Sequence, residues 1–238
     1  FAVGGYSKST KGVTGQLMSL TAKNYLIGQE AGKSITTGID NSFLGYQSGY
    51  TNTTGGNNVF LGKHSGYSSI SSYQNIFIGN EAGYKTTGGY GNVYLGNQAG
   101  HESTGGDFNS FVGYQAGYSN LTDYNSFFGY QSGYRNTTGI YNSFFGYQTG
   151  YNNTTGSRNI FLGYRAGNGY SVTGTDLTGS YNFFAGNEAG YRNTSGRDNI
   201  ILGYQAGLDN TTGSYNTFMG NRSGYDNVGG NYNMYMGY

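Results

Sequence analysis

NSFFGYQSGYRNTTGIY, residues 125–141, is followed at once by NSFFGYQTGYNNTTGSR, residues 142–158. The two segments hold no His and no Cys, and their only charges are Arg135 and Arg158. Near-identical neighbours of this kind are the mark of a chain that stacks copies of one small unit. Aligned on the leading Asn, the unit begins at Asn24, Asn41, Asn58, Asn75, Asn92, Asn109, Asn125, Asn142, Asn159, Asn182, Asn199, Asn216 and Asn233. The step is 17 residues throughout, apart from 16 after Asn109 and 23 after Asn159.

Numbering each unit from its Asn as position 1, position 5 is always Gly, as at Gly45, Gly62 and Gly79, and position 9 is Gly in every complete unit. Position 3 is mostly aromatic, with Phe43, Phe60, Phe77, Phe111, Phe127, Phe144 and Phe161, and position 4 is apolar without exception. Position 8 is always Ala, Ser or Thr, and position 13 is β-branched or apolar in nearly every unit. A Gly every few residues between aromatic and β-branched triplets excludes helix and favours short strands joined by turns.

The pattern predicts an all-β chain, a parallel β-solenoid or β-roll of about 13–14 coils with a 17-residue repeat. Each coil would lie roughly 4.7–4.9 Å above the last, giving a rod on the order of 60 Å long. Identical residues then become ladders, so the recurring asparagines bond to one another and the Phe rings stack. The reading is of one solenoid domain over residues 1–238: an N-terminal coil with an insertion at 1–23, twelve repeats over 24–232 with a corner loop near 168–177, and a partial coil at 233–238. A Gly-, Tyr- and Asn-rich mixture also suits a disordered segment, but disorder requires no residue at a fixed offset, and here the offsets hold over more than 200 residues.

Composition narrows the function classes. Only 10% of residues are charged, against roughly 25% in an ordinary domain, while Gly supplies 46 positions and Tyr 27. The net charge is +1 and the basic residues are scattered singly, so nucleic acid is not an expected partner. Cys is absent, which excludes disulfides and thiolate metal sites. No apolar run reaches the roughly 18–20 residues that would span a bilayer as a helix. Opening on Phe and not Met, the sequence reads as processed or as a section of a longer protein, and secretion would place it outside the cell.

Positions 3 and 4 are neighbours on one strand and therefore face opposite ways. One apolar column fills the coil and the other points outward, which would leave a long apolar stripe in water unless another surface covers it. Identical copies packing side by side are the expected cover, making the protein its own partner in a homo-oligomer. Neither terminus shows a polar capping segment, so open rungs are expected to join copies head to tail into a fibre.

The run Asn-Ser-Phe-Phe-Gly-Tyr-Gln-Ser-Gly at residues 125–133 resembles the head repeats of trimeric autotransporter adhesins, and more closely the Asn-x-Phe-x-Gly-Tyr-x-Ala-Gly repeats of bacterial surface and phage tail-fibre-like proteins. A looser likeness is to curli-type amyloid repeats. The resemblance spans residues 24–237 and implies a parallel β-roll, trimeric in the adhesins, at the cell surface, adhering to cells, matrix or carbohydrate. The unit here is longer than the adhesin unit, its Gly follows the apolar pair one position earlier, and no stretch within residues 1–238 reads as that family's neck, stalk or anchor.

A search for reactive groups returns little. His64 and His101 stand at positions 7 and 10, two units apart, and read as surface substitutions. Acidic residues are single: Glu30, Glu81 and Glu188 share position 7 but lie in separate units, so no carboxylate pair flanks a scissile bond. No calcium-type Asp recurs, and position 11 lacks the second Thr rank that an ice-binding face needs beside position 13. The sequons at Asn52, Asn136, Asn153, Asn193 and Asn210 read first as turn chemistry and second as glycan acceptors. No enzyme, cofactor or metal is expected. The candidate binding strip is the Tyr column at position 10, with Tyr50, Tyr67, Tyr84, Tyr118, Tyr134 and Tyr151.

Overall fold

The computed structural model describes residues 17–170 and 176–238. The chain is an all-β parallel solenoid with one short strand per 17-residue coil. The described residues fall into two compact bodies, one up to residue 109 and one from residue 110 onward. The division falls where the one coil of 16 residues begins.

In the first body the strands are β1 (Met18–Leu20), β2 (Asn24–Ile27), β3 (Asn41–Leu44), β4 (Val59–Leu61), β5 (Ile76–Ile78) and β6 (Val93–Leu95). Strands β2 to β6 pair in sequence order, parallel and in register, Phe43 opposite Phe60 and Phe60 opposite Phe77. Strand β1 differs. It runs antiparallel to β2, with Met18 opposite Ile27 and Leu20 opposite Tyr25. The expected N-terminal coil is therefore corrected for residues 17–23, because only three residues separate β1 from β2 and a parallel crossover needs about a dozen. The rest of that expectation, residues 1–16, lies outside the described residues.

In the second body the strands are β7 (Ser110–Val112), β8 (Ser126–Phe128), β9 (Ser143–Phe145), β10 (Ile160–Leu162), β11 (Phe183–Ala185), β12 (Ile200–Leu202), β13 (Thr217–Met219) and β14 (Met234–Met236). All pair in parallel, again in sequence order. The long coil after Asn159 keeps register, since Ile160 pairs with Phe183 and the Asn182 backbone N–H reaches Asn159 Oδ1 at 2.9 Å. Of the expected corner loop, residues 171–175 lie outside the described residues.

Position 3 is the interior column. Phe43, Phe60, Phe77 and Tyr94 stack at ring separations of 4.7–4.9 Å in the first body. Phe111, Phe127, Phe144, Phe161 and Phe184 do the same at 4.8–5.0 Å in the second, and all are fully buried. Tyr94 keeps its hydroxyl inside because Ser103 Oγ lies 3.1 Å away. Position 8 supplies the small residues that the narrow coil demands, and Ser65 Oγ donates to the Phe77 carbonyl at 2.8 Å. Gly at position 9 is obligatory on two counts: its φ is near +58°, and a Cβ at Gly49 would overlap the Phe43 ring.

Position 1 forms a buried amide column flanking the rings, half-exposed only at the last member, Asn233. Asn58 is representative: its backbone N–H donates to Asn41 Oδ1 at 3.1 Å, and its Nδ2 donates to the Ser72 carbonyl at 2.7 Å. The same two bonds recur at Asn142, to Asn125 Oδ1 at 3.0 Å and to the Gly156 carbonyl at 2.8 Å. A second amide column stands at position 12 in the second body, where Asn136 Nδ2 donates to Asn120 Oδ1 at 2.6 Å and Asn153 Nδ2 to Asn136 Oδ1 at 2.7 Å. In the first body that column is broken: Asn52 lies between Ile35 and Ser69, and neither its Nδ2 nor its Oδ1 finds a partner.

These environments set opposite expectations for residues of one kind. Phe144→Ala, which empties a site between two stacked rings, should lower the unfolding free energy by about 3–5 kcal/mol, whereas Phe145→Ala on the outer side should cost about 1 kcal/mol or less. Asn142→Ala strands a backbone N–H and a carbonyl and should cost about 1–3 kcal/mol. Asn52→Leu should fall within about 0.5 kcal/mol of the parent or exceed it, because the amide it removes is already unpaired. Urea denaturation followed by circular dichroism measures all four, and equal losses for the two Asn variants would contradict the ladder.

Candidate functional site

The surface follows from the strand alternation. With position 3 inward, positions 2 and 4 point out, and neither column carries a charged residue in any repeat. In the second body the outward side chains include Phe128, Phe145, Ile160, Leu162, Phe183, Ile200 and Met219, half-exposed or exposed in turn. Phe128 and Phe145 stack on this outer face at 4.9 Å, repeating outside what Phe127 and Phe144 do inside. The first body presents Ile27, Leu44, Ile76 and Leu95 in the same manner.

The candidate Tyr strip at position 10 is half-buried, and its rings lie face to face. Tyr50 and Tyr67 are 5.0 Å apart and 1° from parallel, and Tyr134 and Tyr151 are 5.0 Å apart and 3° from parallel. Tyr67 also stacks on Tyr84, and Tyr118 on Tyr134. Burial pushes the Tyr67 and Tyr151 phenols above their ordinary range. Rings that cover one another offer edges and hydroxyls outward, so this column has few ring faces left for a ligand. More exposed Tyr columns stand at position 6, with Tyr114, Tyr130, Tyr147 and Tyr164, and at position 17, with Tyr124, Tyr141, Tyr181 and Tyr215. The position 17 column was not legible as a set, because in the first body the same corner holds Asp40, Asn57, Gln74 and Gly91.

Position 7 is a left-handed corner, with φ of 49–59° at Gln148, Gln131, His64 and Glu30. Its side chains bond along the column: Gln131 Nε2 donates to Gln115 Oε1 at 2.8 Å, Gln148 Nε2 to Gln131 at 3.0 Å and Arg165 Nε to Gln148 at 3.1 Å. Position 13 is likewise engaged, since Thr53 Oγ1 donates to the Ile70 carbonyl at 3.1 Å and Thr137 Oγ1 to the Thr154 carbonyl at 3.0 Å. The sequon asparagines Asn52, Asn136, Asn153, Asn193 and Asn210 are fully buried, so the folded chain presents none of them to a glycan donor.

The two histidines are brought closer to acids than their spacing suggests. Glu81 lies 4.0 Å from His64 Nδ1 and 3.5 Å from His101 Nε2, and His101 Nδ1 sits 2.8 Å from Glu102. His101 stacks on Tyr84 at 5.0 Å. Among the described residues, no group of three or more His, Cys, Asp and Glu has the geometry to hold a metal ion. Burial holds the His64 imidazole below its ordinary value, Lys63 adds to the effect and Glu81 opposes it.

No family model matches the chain, and no curated protein or solved structure matches it significantly. The class that the fold defines is that of repeat proteins with a parallel β-solenoid, carrying Asn ladders and a Tyr-rich surface. Among the described residues no helix is long and apolar enough to cross a membrane.

The depressed His64 predicts a sign for pH. Because the unfolded chain takes up the proton first, stability should fall as pH drops below about 6.5 and be fully present above it. Urea midpoints measured from about pH 7 to pH 5 should show this decline, and His64→Gln should shallow it. An unchanged slope in that variant would remove His64 as the cause.

Proposed function

We propose that this chain is a structural protein, a β-solenoid subunit of an extracellular filament or surface fibre, and that it is not an enzyme. The observation that carries the proposal is the outward strand face, free of charge in both bodies, with an unbroken apolar column at position 4 and a position 2 column in which apolar residues are interspersed with Ser42, Ser110, Ser126, Ser143 and Thr217. An apolar column running the length of a sheet face calls for a partner of the same flatness, and a second copy of the sheet supplies it. The eight strands of the second body, at about 4.8 Å per rung and roughly 10 Å of width, offer on the order of 400 Å² per copy. Pairing two such faces removes roughly 800 Å² from water, about three quarters of it apolar, and yields about 15 kcal/mol gross, comparable to the upper end of the roughly 4–15 kcal/mol cost of association.

The side-chain ladders support a role in which shape is the product. Gln, Tyr, Thr and Asn side chains bond or stack along the column with the coil one step away. A second reading, an adhesive module of a trimeric surface adhesin or tail-fibre-like protein, is favoured by the exposed tyrosines at positions 6 and 17 and by the resemblance of the repeat. Under either reading the chain works outside the cell and takes no cofactor.

Sedimentation velocity of the refolded chain tests the assembly. The parent should sediment as dimers or larger species at micromolar concentration. A Phe145→Lys/Leu162→Lys double variant, charged at two adjacent rungs of the outer face, should sediment as a monomer with an unchanged circular dichroism spectrum. A parent that stays monomeric and soluble would overturn lateral assembly through this face.

A further inference from the structure

The position 17 corner of the second body carries a stack with one rung missing. Going up the column, the residues are Tyr124, Tyr141, Arg158, Tyr181, Asp198, Tyr215 and Tyr232. Tyr124 and Tyr141 stack at 5.0 Å, and the Arg158 guanidinium lies 5.3 Å from the Tyr141 ring and 5.4 Å from the Tyr181 ring. Tyr215 and Tyr232 resume at 5.0 Å. Every rung but one is a planar π group, and the exception is Asp198. Its short side chain leaves a gap between two phenol rings that stand two rungs apart, about 9.5 Å at the parallel-strand spacing.

A cavity of about 440 Å³ occupies this place, within the size range of small-ligand sites. Tyr181 and Tyr215, which form its two walls, are 53% and 43% exposed. Ser180 and Ser195 contribute hydroxyls, and Asp198 and Arg197 contribute an acceptor and a fork of donors. Arg197 leans over Tyr215 at 6.0 Å, farther than Arg158 stands from its neighbours, and pairs with Asp198 only at 3.9 Å. At the comparable interruption at position 6, Asn187 between Tyr164 and Tyr204, Arg165 stands closer to its wall, 5.2 Å from the Tyr164 ring, than Arg197 does to Tyr215.

We propose that the cleft between Tyr181 and Tyr215 binds one pyranose unit of a glycan. Two aromatic faces with a polar rim suit a ring whose faces carry C–H groups and whose equator carries hydroxyls, because the negative π face attracts the weakly positive C–H side. A two-rung gap of about 9.5 Å is wide enough for a chair with its axial hydrogens against both walls. Carboxylate and guanidinium then bond the equatorial hydroxyls, charge-assisted and with directional choice. The site lies at a corner, off the strand face, and is independent of lateral assembly.

Saturation-transfer NMR on the full chain tests the assignment, with methyl glucoside, galactoside, mannoside and N-acetylglucosaminide as probes and adenosine and N-acetyltryptophanamide as planar controls. At least one pyranoside should bind, and Asp198→Tyr should weaken it tenfold or more by filling the missing rung. That variant should fold as stably as the parent, since Tyr215 and Tyr232 already occupy the same left-handed corner with φ of 60° and 59°. Tyr215→Ala should weaken binding by a similar factor from the opposite cause, loss of a wall. Failure of every pyranoside to bind at millimolar concentration, tighter binding of a planar control, or binding that survives both substitutions would each overturn the proposal.

Discussion

The asparagine at position 1 carries the constraint on which the rest of the coil depends. A solenoid this narrow has room for one ring, one small residue and one or two amides per coil, and it must close its backbone around them. Where the strand begins, the backbone N–H of each Asn would otherwise point into the interior unpaired. The Oδ1 of the Asn one coil before accepts it, at 2.8–3.1 Å in both bodies. The Nδ2 of the same side chain holds the carbonyl at position 15 of its own coil, or at the equivalent Gly179 in the long coil, fixing the return of the chain to its start. Asp lacks the donor, Gln is a methylene too long, and Ser cannot bond in both directions at this separation, so one residue type recurs at every rung.

Ring stacking and the amide column reinforce each other through pitch. Parallel strands set coils about 4.8 Å apart, and that separation also lets Phe rings overlap with favourable offset and lets an amide reach its neighbour. The left-handed corners fit the same logic. Gly would take them without strain, as Gly91 does, yet most coils place Gln, Arg, Asp or Tyr there. The backbone cost of such a residue, of order 1 kcal/mol, is offset where the side chain bonds or stacks with its equivalents, as Gln131 does with Gln115 and Gln148.

Much of this was legible in the sequence because the repeat reports on the interior directly. Invariance at positions 1, 5 and 9 marked residues that no other type can replace, and the alternation of positions 3 and 4 marked one inward and one outward column. The choice of Phe144 over Phe145 as the buried ring was not legible, since both are Phe; it follows from the turn at Gly146 and from the Asn142 side chain, which points inward with its i+2 neighbour. Strand β1 was hidden because its pairing depends on a three-residue turn outside the repeat. The histidine pair was hidden for a different reason: His64 and His101 are 37 residues apart, and only the stacking of coils sets Glu81 between them. Asn52 shows the converse, a motif residue whose partners the neighbouring coils fail to provide.

A column whose members satisfy one another has little chemistry left to offer a guest. This is why the most regular parts of the molecule, the Phe stack, the Asn ladders and the position 10 tyrosines, are the least suited to binding, although they dominate the sequence. Recognition has two openings in such an architecture. One is a column that points away from the coil and gains nothing from its own repeats beyond partial stacking, as the charge-free strand face does; its natural complement is another periodic surface with the same rung spacing. The other is a break in a ladder, where neighbouring rungs remain shaped for a member that the sequence withholds. Asp198 makes such a break between two phenol walls, and the width of the resulting gap is set by the pitch of the backbone and not by any loop. A solenoid can in this way place a site of defined width at any height along its corner by a single substitution, while the hydrogen bonds that hold the coil continue through Asp198 N–H to the Ser180 carbonyl unaltered.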